Sequence, residues 1–243
     1  SRIGLGTDKE LKERVQKAID HVFSMQDSSG AFGIWGPSEP DLWLTAYVTD
    51  FLTRTKEAGF EVRPDAYAQA LDRLQNFIAY AQDFEKGGED RAYALYVLAR
   101  NGRAPIGELR YYADTRLERF STPLAKAQLG AALAMMGDKM RAERAFSAAI
   151  AALGTSDTSI ARGDYGSILR DGAALVTLAS EVGIAKDEAP RLVDVIAKAY
   201  ASRGYTSTQE QSWMLLAANA LADEAASARL TLGGAPLQAP IFR

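Results

Sequence analysis

Three features of the 243-residue sequence predict an all-α fold built in two layers. Apolar residues recur at helical spacing along most of the chain, and no convincing strand alternation precedes Leu230. Amphipathic segments alternate with segments that are apolar on nearly every face, at a period of roughly 35–50 residues. Small residues (Ala125, Ala127, Gly130, Ala131, Ala132 and Ala134) crowd one apolar segment and allow helices to approach closely near an axis. An open solenoid would stack helices whose two faces are alike in polarity. The asymmetry within each pair points instead to inner helices enclosed by outer ones: an α/α toroid of about ten helices.

The elements follow in order. Thr7 and Glu10 make a Thr-x-x-Glu capping box before the first outer helix, whose apolar stripe is Leu11, Val15, Ala18, Val22 and Met25. His21 sits at the flank of that stripe, a surface or boundary residue. The turn from Gln26 to Gly36 carries Gly30, Gly33 and Gly36, which permit positive φ, with Phe32 and Trp35 expected to wedge between neighbouring helices. Leu42 to Leu52 is apolar nearly all round and therefore buried, with Lys56 in its last turn and Gly59 as its stop. Pro64 to Ala81 is amphipathic, Arg91 to Arg100 apolar, Ile106 to Phe120 charged on one face, and Leu124 to Met136 apolar behind Thr122-Pro123. Asp138 caps an amphipathic helix through Leu153. Leu169 to Val182 is apolar, Asp187 to Ser202 amphipathic, and Ser212 to Leu221 apolar again. The helical domain is expected over 1–228. The Gly- and Pro-containing stretch 229–243 reads as an extended tail leading into a further domain.

Composition removes whole classes of function. The net charge is -3, which argues against nucleic-acid binding. No segment approaches the roughly 18–20 apolar residues of a membrane span, so no direct insertion is expected, and the N-terminus does not read as a signal peptide. With no Cys and one His, zinc clusters, disulfide frameworks and Cys–His catalysis are excluded, and neither metal nor cofactor is expected.

Acidic residues stand near the starts of the apolar helices: Asp41, Glu89 with Asp90, Asp171 and Glu210. A carboxylate pair at the mouth of a toroid can hydrolyse glycosides, one acid and one base. Carboxylates also cap helix N-termini and complement the helix dipole, which explains them without catalysis. Gly163 to Ser167 is not a nucleophile elbow, since its Ser follows the second Gly. Ser207 and Glu210 form a second capping box before the last apolar helix. Thr208-Gln-Glu-Gln211 differs from the thioester motif Cys-x-Glu-Gln by a hydroxyl in place of the thiol, and a hydroxyl does not form that bond.

Four segments in this order carry a family resemblance: Gln26 to Trp35; Trp43 to Val48 with Asp50-Phe51-Leu52; Gly163 to Gly166 with Leu169-Arg170-Asp171; and Ser207 to Glu210. The chain resembles the thioester-containing domain of bacterial alpha-2-macroglobulins. Turns like the first also occur in other α/α toroids such as terpenoid cyclases, whose Asp-rich motif is absent here. The resemblance implies an α/α toroid and a non-enzymatic role within a protease trap of the cell envelope or periplasm. There the partners are other domains of the same large protein and, through it, target proteases. With no Cys here, either the chain starts downstream of the thioester motif or its parent belongs to the thioester-less branch; five inner helices against the six of a complete ring fit the first, with a missing inner helix and an excised part of a longer protein. The gap would lie between the helices of Trp43 and Trp213, answered by tighter packing, by residues 1–6 or the tail from Leu230 filling it, or by pairing with a second copy, with partial closure plus a filled gap favoured. Asp41, Trp43, Asp90, Arg170, Asp171, Gln209 and Glu210 are the expected rim beside the thioester position. The competing readings are a toroid hydrolase using a carboxylate pair and a passive helical scaffold.

Overall fold

The computed structural model describes residues 8–37, 40–154, 162, 164–227, 231–232 and 235–236. The expected cap at Thr7, the role expected of residues 1–6 and most of the tail lie outside them. Among the described residues there are ten α-helices: α1 (Asp8–Phe23), α2 (Leu42–Glu57), α3 (Pro64–Tyr80), α4 (Glu89–Arg100), α5 (Ile106–Tyr111), α6 (Pro123–Met135), α7 (Lys139–Leu153), α8 (Ile168–Val182), α9 (Ala189–Ala201) and α10 (Thr208–Ser227). Thr231–Leu232 and Ala235–Pro236 pair as a short antiparallel ribbon, β1 and β2. The chain divides into two compact units, residues 1–165 and 166–243.

In the first unit α2 packs on α4 and α4 on α6, while α3, α5 and α7 lie against them from outside. Two inner helices are enclosed: residues Arg91 to Ala99 of α4 and Pro123 to Leu133 of α6 are all buried, whereas α2, expected to be buried all round, leaves Leu44, Tyr47, Val48 and Phe51 half-buried. Outer helices bury one stripe, Tyr67, Ala70, Leu71, Leu74 and Ile78 in α3 and Ala142, Ala145, Phe146, Ala149, Ile150 and Leu153 in α7. This is the layering of an α/α toroid. A Cβ at Gly130 would stand 2.9 Å from the Phe146 ring, so the glycine is what lets α6 and α7 meet. The buried Thr45, Thr49 and Thr53 of α2 donate their hydroxyls to the carbonyls four residues back, which lets the helix bury them without loss. In the second unit α8 is enclosed from Leu169 to Ala179 and packs on α10 and α9.

Several expectations are corrected. The stripe of α1 centres on Ile19 and Phe23, both buried, while Ala18 is exposed; rows four residues apart, not the row through Ala18, face the core. Ile106 to Phe120 is not one helix. After α5 the chain forms a π-helical turn over Tyr112–Arg116, then a 3₁₀ turn over Leu117–Arg119. The extra residue turns Tyr112 inward, where its hydroxyl meets the buried Arg91 guanidinium, which also lies 5.2 Å from the Phe77 ring centroid. Asp114 on that turn accepts from Arg141 and Arg144 of α7, and these bonds hold its carboxyl down at about 2. Asp138 precedes α7 but makes no side-chain cap bond. Its carboxylate is taken by Arg110 and Arg141 instead. Finally, α10 is not enclosed all round, since Leu215 is 63% exposed.

Candidate functional site

The predicted rim residues all stand at or near the starts of inner helices. Asp41 is the N-cap of α2: its Oδ1 accepts from Leu44 N at 2.6 Å, and its own N–H donates to Phe32 O at 3.2 Å. Its carbonyl accepts from the Thr45 hydroxyl, which in turn accepts from Phe32 N at 3.0 Å. That relay fixes the glycine-rich turn to the helix it precedes. Phe32 is fully buried, as expected, but Trp35 is 92% exposed and Ile34 52% exposed. The expectation that Trp35 wedges between helices is wrong. The Phe32–Asp41 bond closes the base of the loop, Phe32 fills the slot, and Ile34 and Trp35 project outward.

Trp43 stacks on Tyr47, with centroids 5.4 Å apart, and meets Tyr93 and Tyr165 edge-on at 5.9 and 5.7 Å. Below them Tyr93 donates to the buried Asp50, which also accepts from Arg54 at 3.0 Å. Asp90 and Glu89 occupy the first turn of α4 and are half-buried. Burial raises the carboxyl pKa of Asp90, with the Asp41 charge adding to it. Burial likewise raises that of Glu89, with Asp164 and Asp90 beside it. Asp164 is buried in a two-point pair with Arg162, at 2.9 and 2.7 Å.

In the second unit, Arg170 and Asp171 are fully buried and paired with each other, the guanidinium donating to Asp171 Oδ1 at 2.7 and 3.0 Å. Arg170 also donates to Gln209 Oε1 at 3.2 Å, tying the starts of α8 and α10 together. The predicted box before α10 is present: Glu210 N donates to Ser207 Oγ at 3.2 Å, and Ser207 N to Glu210 Oε2 at 2.7 Å. Glu210 accepts in addition from Ser167 Oγ and Arg203, each at 2.5 Å. Burial alone would raise its pKa, but the bonds from Ser167 and Ser207 and the Arg203 charge outweigh it and hold the carboxyl low. Thus the structure joins Asp41, Trp43 and Asp90 in one unit and Arg170, Asp171, Gln209 and Glu210 in the other.

Sequence reasoning did not single out Tyr47, Tyr93, Tyr165, Ser167 or Arg203 for this site. The four-residue spacing of Trp43 and Tyr47 on one helix was the available signal for the first. Ser167 is the N-cap of α8, where it accepts from Arg170 N at 3.1 Å, and its bond to Glu210 needs the tertiary fold. Among the described residues no group of His, Cys, Asp and Glu could hold a metal ion, and no helix is long and apolar enough to cross a membrane.

No family model matches the chain. It is 35% identical over 233 residues to an alpha-2-macroglobulin of Escherichia coli, an alignment covering 91% of this chain and 14% of that protein. The fold matches E. coli alpha-2-macroglobulin in its native conformation with a TM-score of 0.81 and 33% identity, over 90% of this chain and 14% of that one. Against the trypsin-activated E. coli protein the TM-score is 0.77 at 32% identity, over 90% of this chain and 15% of that one. The chain is homologous to bacterial alpha-2-macroglobulins over most of its length. It spans about one seventh of the alpha-2-macroglobulins it matches, so its residues correspond to one helical region of those proteins.

Proposed function

We propose that the chain acts as a non-enzymatic helical module of a bacterial alpha-2-macroglobulin-type protease trap, an endopeptidase inhibitor of the cell envelope or periplasm. In that reading Asp41, Trp43, Asp90, Arg170, Asp171, Gln209 and Glu210 belong to the faces it presents beside the thioester position, to other domains of the same polypeptide. The chain itself has no Cys and forms no thioester. One observation carries the reading: the same helical region matches with nearly equal scores in a native and a trypsin-activated alpha-2-macroglobulin. A module that keeps its fold while the protein around it reacts with a protease moves as a body, and the work of trapping then lies in how it is released.

The candidate carboxylates support a structural role. Asp41 and Glu210 are spent on caps, Asp171 on Arg170, and Asp164 on Arg162. The hydrolase alternative rests on Glu89 and Asp90, whose raised pKa values are what a general acid needs. A screen of the purified chain against glycoside, ester and peptide substrates decides between them. No turnover is expected. Turnover abolished by Glu89→Gln or Asp90→Asn would replace the module reading with the hydrolase.

A further inference from the structure

We propose that Asn101 and Gly102, at the end of α4, form a latent modification site that deamidates when this helix end opens and is held unreactive while it is closed. They are the single Asn-Gly pair in the sequence. In such a pair the Gly nitrogen can attack the Asn side-chain carbon, because glycine has no side chain to crowd the approach. A bond forms between Gly102 N and Asn101 Cγ, the Cγ–Nδ2 bond breaks, and the Gly102 amide proton leaves with Nδ2 as ammonia. Water then opens the five-membered imide. Addition at Cγ gives an aspartate, and addition at the backbone carbonyl carbon gives an isoaspartate, with the chain rerouted through the side chain.

The folded chain withholds both reacting groups. Asn101 Nδ2 donates to Val97 O at 2.9 Å and to Thr53 Oγ1 at 3.1 Å, and Oδ1 accepts from the Tyr67 hydroxyl at 2.6 Å. Thr53 lies on α2 and Tyr67 on α3, both buried, so one half-buried amide clamps three helices. Gly102 N is engaged too. It donates to Ala99 O at 3.0 Å while Arg103 N donates to Leu98 O at 2.8 Å, the paired closure of a helix end on a glycine with φ of 67°. With Asn101 ψ at 8°, that nitrogen is turned away from the side chain it must meet to close the ring. Gly102 itself is exposed, and no atom lies within 4 Å of where its Cβ would stand, so packing does not hold the turn once these bonds are lost. Deamidation makes the opening one-way. The product carries a carboxylate, so the N–H donors to Val97 O and Thr53 Oγ1 are gone. Its negative charge also stands at the C-terminal end of α4, where the helix dipole opposes it.

Peptide mass mapping of Asn101 after incubation of the chain in mildly alkaline buffer, folded and in guanidinium chloride, tests this. Burial raises the Tyr67 pKa, so its hydroxyl still donates in that buffer. The unfolded chain should deamidate at Asn101, and the folded chain at least about tenfold more slowly, since the reaction follows the open fraction. Tyr67→Phe removes one bond to the amide and should speed the folded reaction about fivefold. Ile150→Val, a core change on α7, should leave that rate unchanged. Equal rates in the folded and unfolded chain overturn the proposal, as does a Tyr67→Phe rate equal to that of wild type. Equal acceleration by Ile150→Val also overturns it, in favour of unfolding of the whole unit as the gate. If Tyr67→Phe does not fold, the wild-type comparison of folded and unfolded chain decides alone.

Discussion

Ser167 and Glu210 are joined at 2.5 Å, hydroxyl to carboxylate, across the starts of α8 and α10. The same carboxylate closes the capping box of α10 and receives Arg203, so one side chain satisfies three donors. Glu210→Ala should therefore cost about 2–3 kcal/mol, the sum of a lost cap and a lost buried bond. Glu210→Gln keeps the box geometry and should cost about half as much. The folded-state pKa lies below the ordinary 4.5, so the carboxylate's contribution is full above that value and lost as pH falls through the folded pKa. Urea melts of wild type and Glu210→Gln between neutral pH and the acid limb should converge in this window.

Glu89 and Asp90 have the opposite sign. Their carboxyls are raised on folding, chiefly by burial, so the folded state binds the proton more tightly than the unfolded one. They weaken the fold above their folded pKa values, and the penalty fades as pH falls through those values toward the ordinary carboxylate range. Glu89→Gln and Asp90→Asn should each stabilise the chain at neutral pH. Thermal melts at neutral pH and at pH near the ordinary carboxylate value check this. The gain should appear only in the former.

The two aromatic residues of the glycine-rich turn should respond very differently. Phe32 is fully buried, so Phe32→Ala should cost about 3–5 kcal/mol in the purified chain. Trp35→Ala should change its stability by less than about 0.5 kcal/mol. Denaturant melts of the two variants side by side are sufficient.

Gly30 has φ of +89°, and a Cβ there would stand 2.3 Å from the carbonyl oxygen of Gln69. The backbone cannot yield locally, because Gln26 bridges the turn to Ala66 O at 2.8 Å. Gly30→Ala should destabilise by more than about 2 kcal/mol, combining strain with the clash. Gly137→Ala is the control: its φ is +82° but nothing lies within 4 Å, so only the conformational part of the loss should appear in a thermal melt.

What was legible in the sequence followed from local chemistry. The enclosed helices α4, α6 and α8, the helix α2 and the caps at Asp41, Thr122 and Ser207 were readable because periodicity and capping act within a few residues, but the half-buried face of α2 at Leu44, Tyr47, Val48 and Phe51 was not. The π-helical turn at Tyr112 was not, since it answers the distant Arg91. Nor was the exposure of Trp35 and Leu215, because an apolar residue in a sequence does not state whether its neighbours cover it. At the site, the cap residues were readable. Tyr165 and Arg203 reach it only through the tertiary fold.

The most direct measurement of the central claim is to add trypsin to the complete polypeptide that carries this chain and follow both on a native gel. The module reading predicts a mobility change of the polypeptide, with trypsin travelling with it, while the helical signal of this region is retained. Cleavage with no mobility change and no retained trypsin would contradict it.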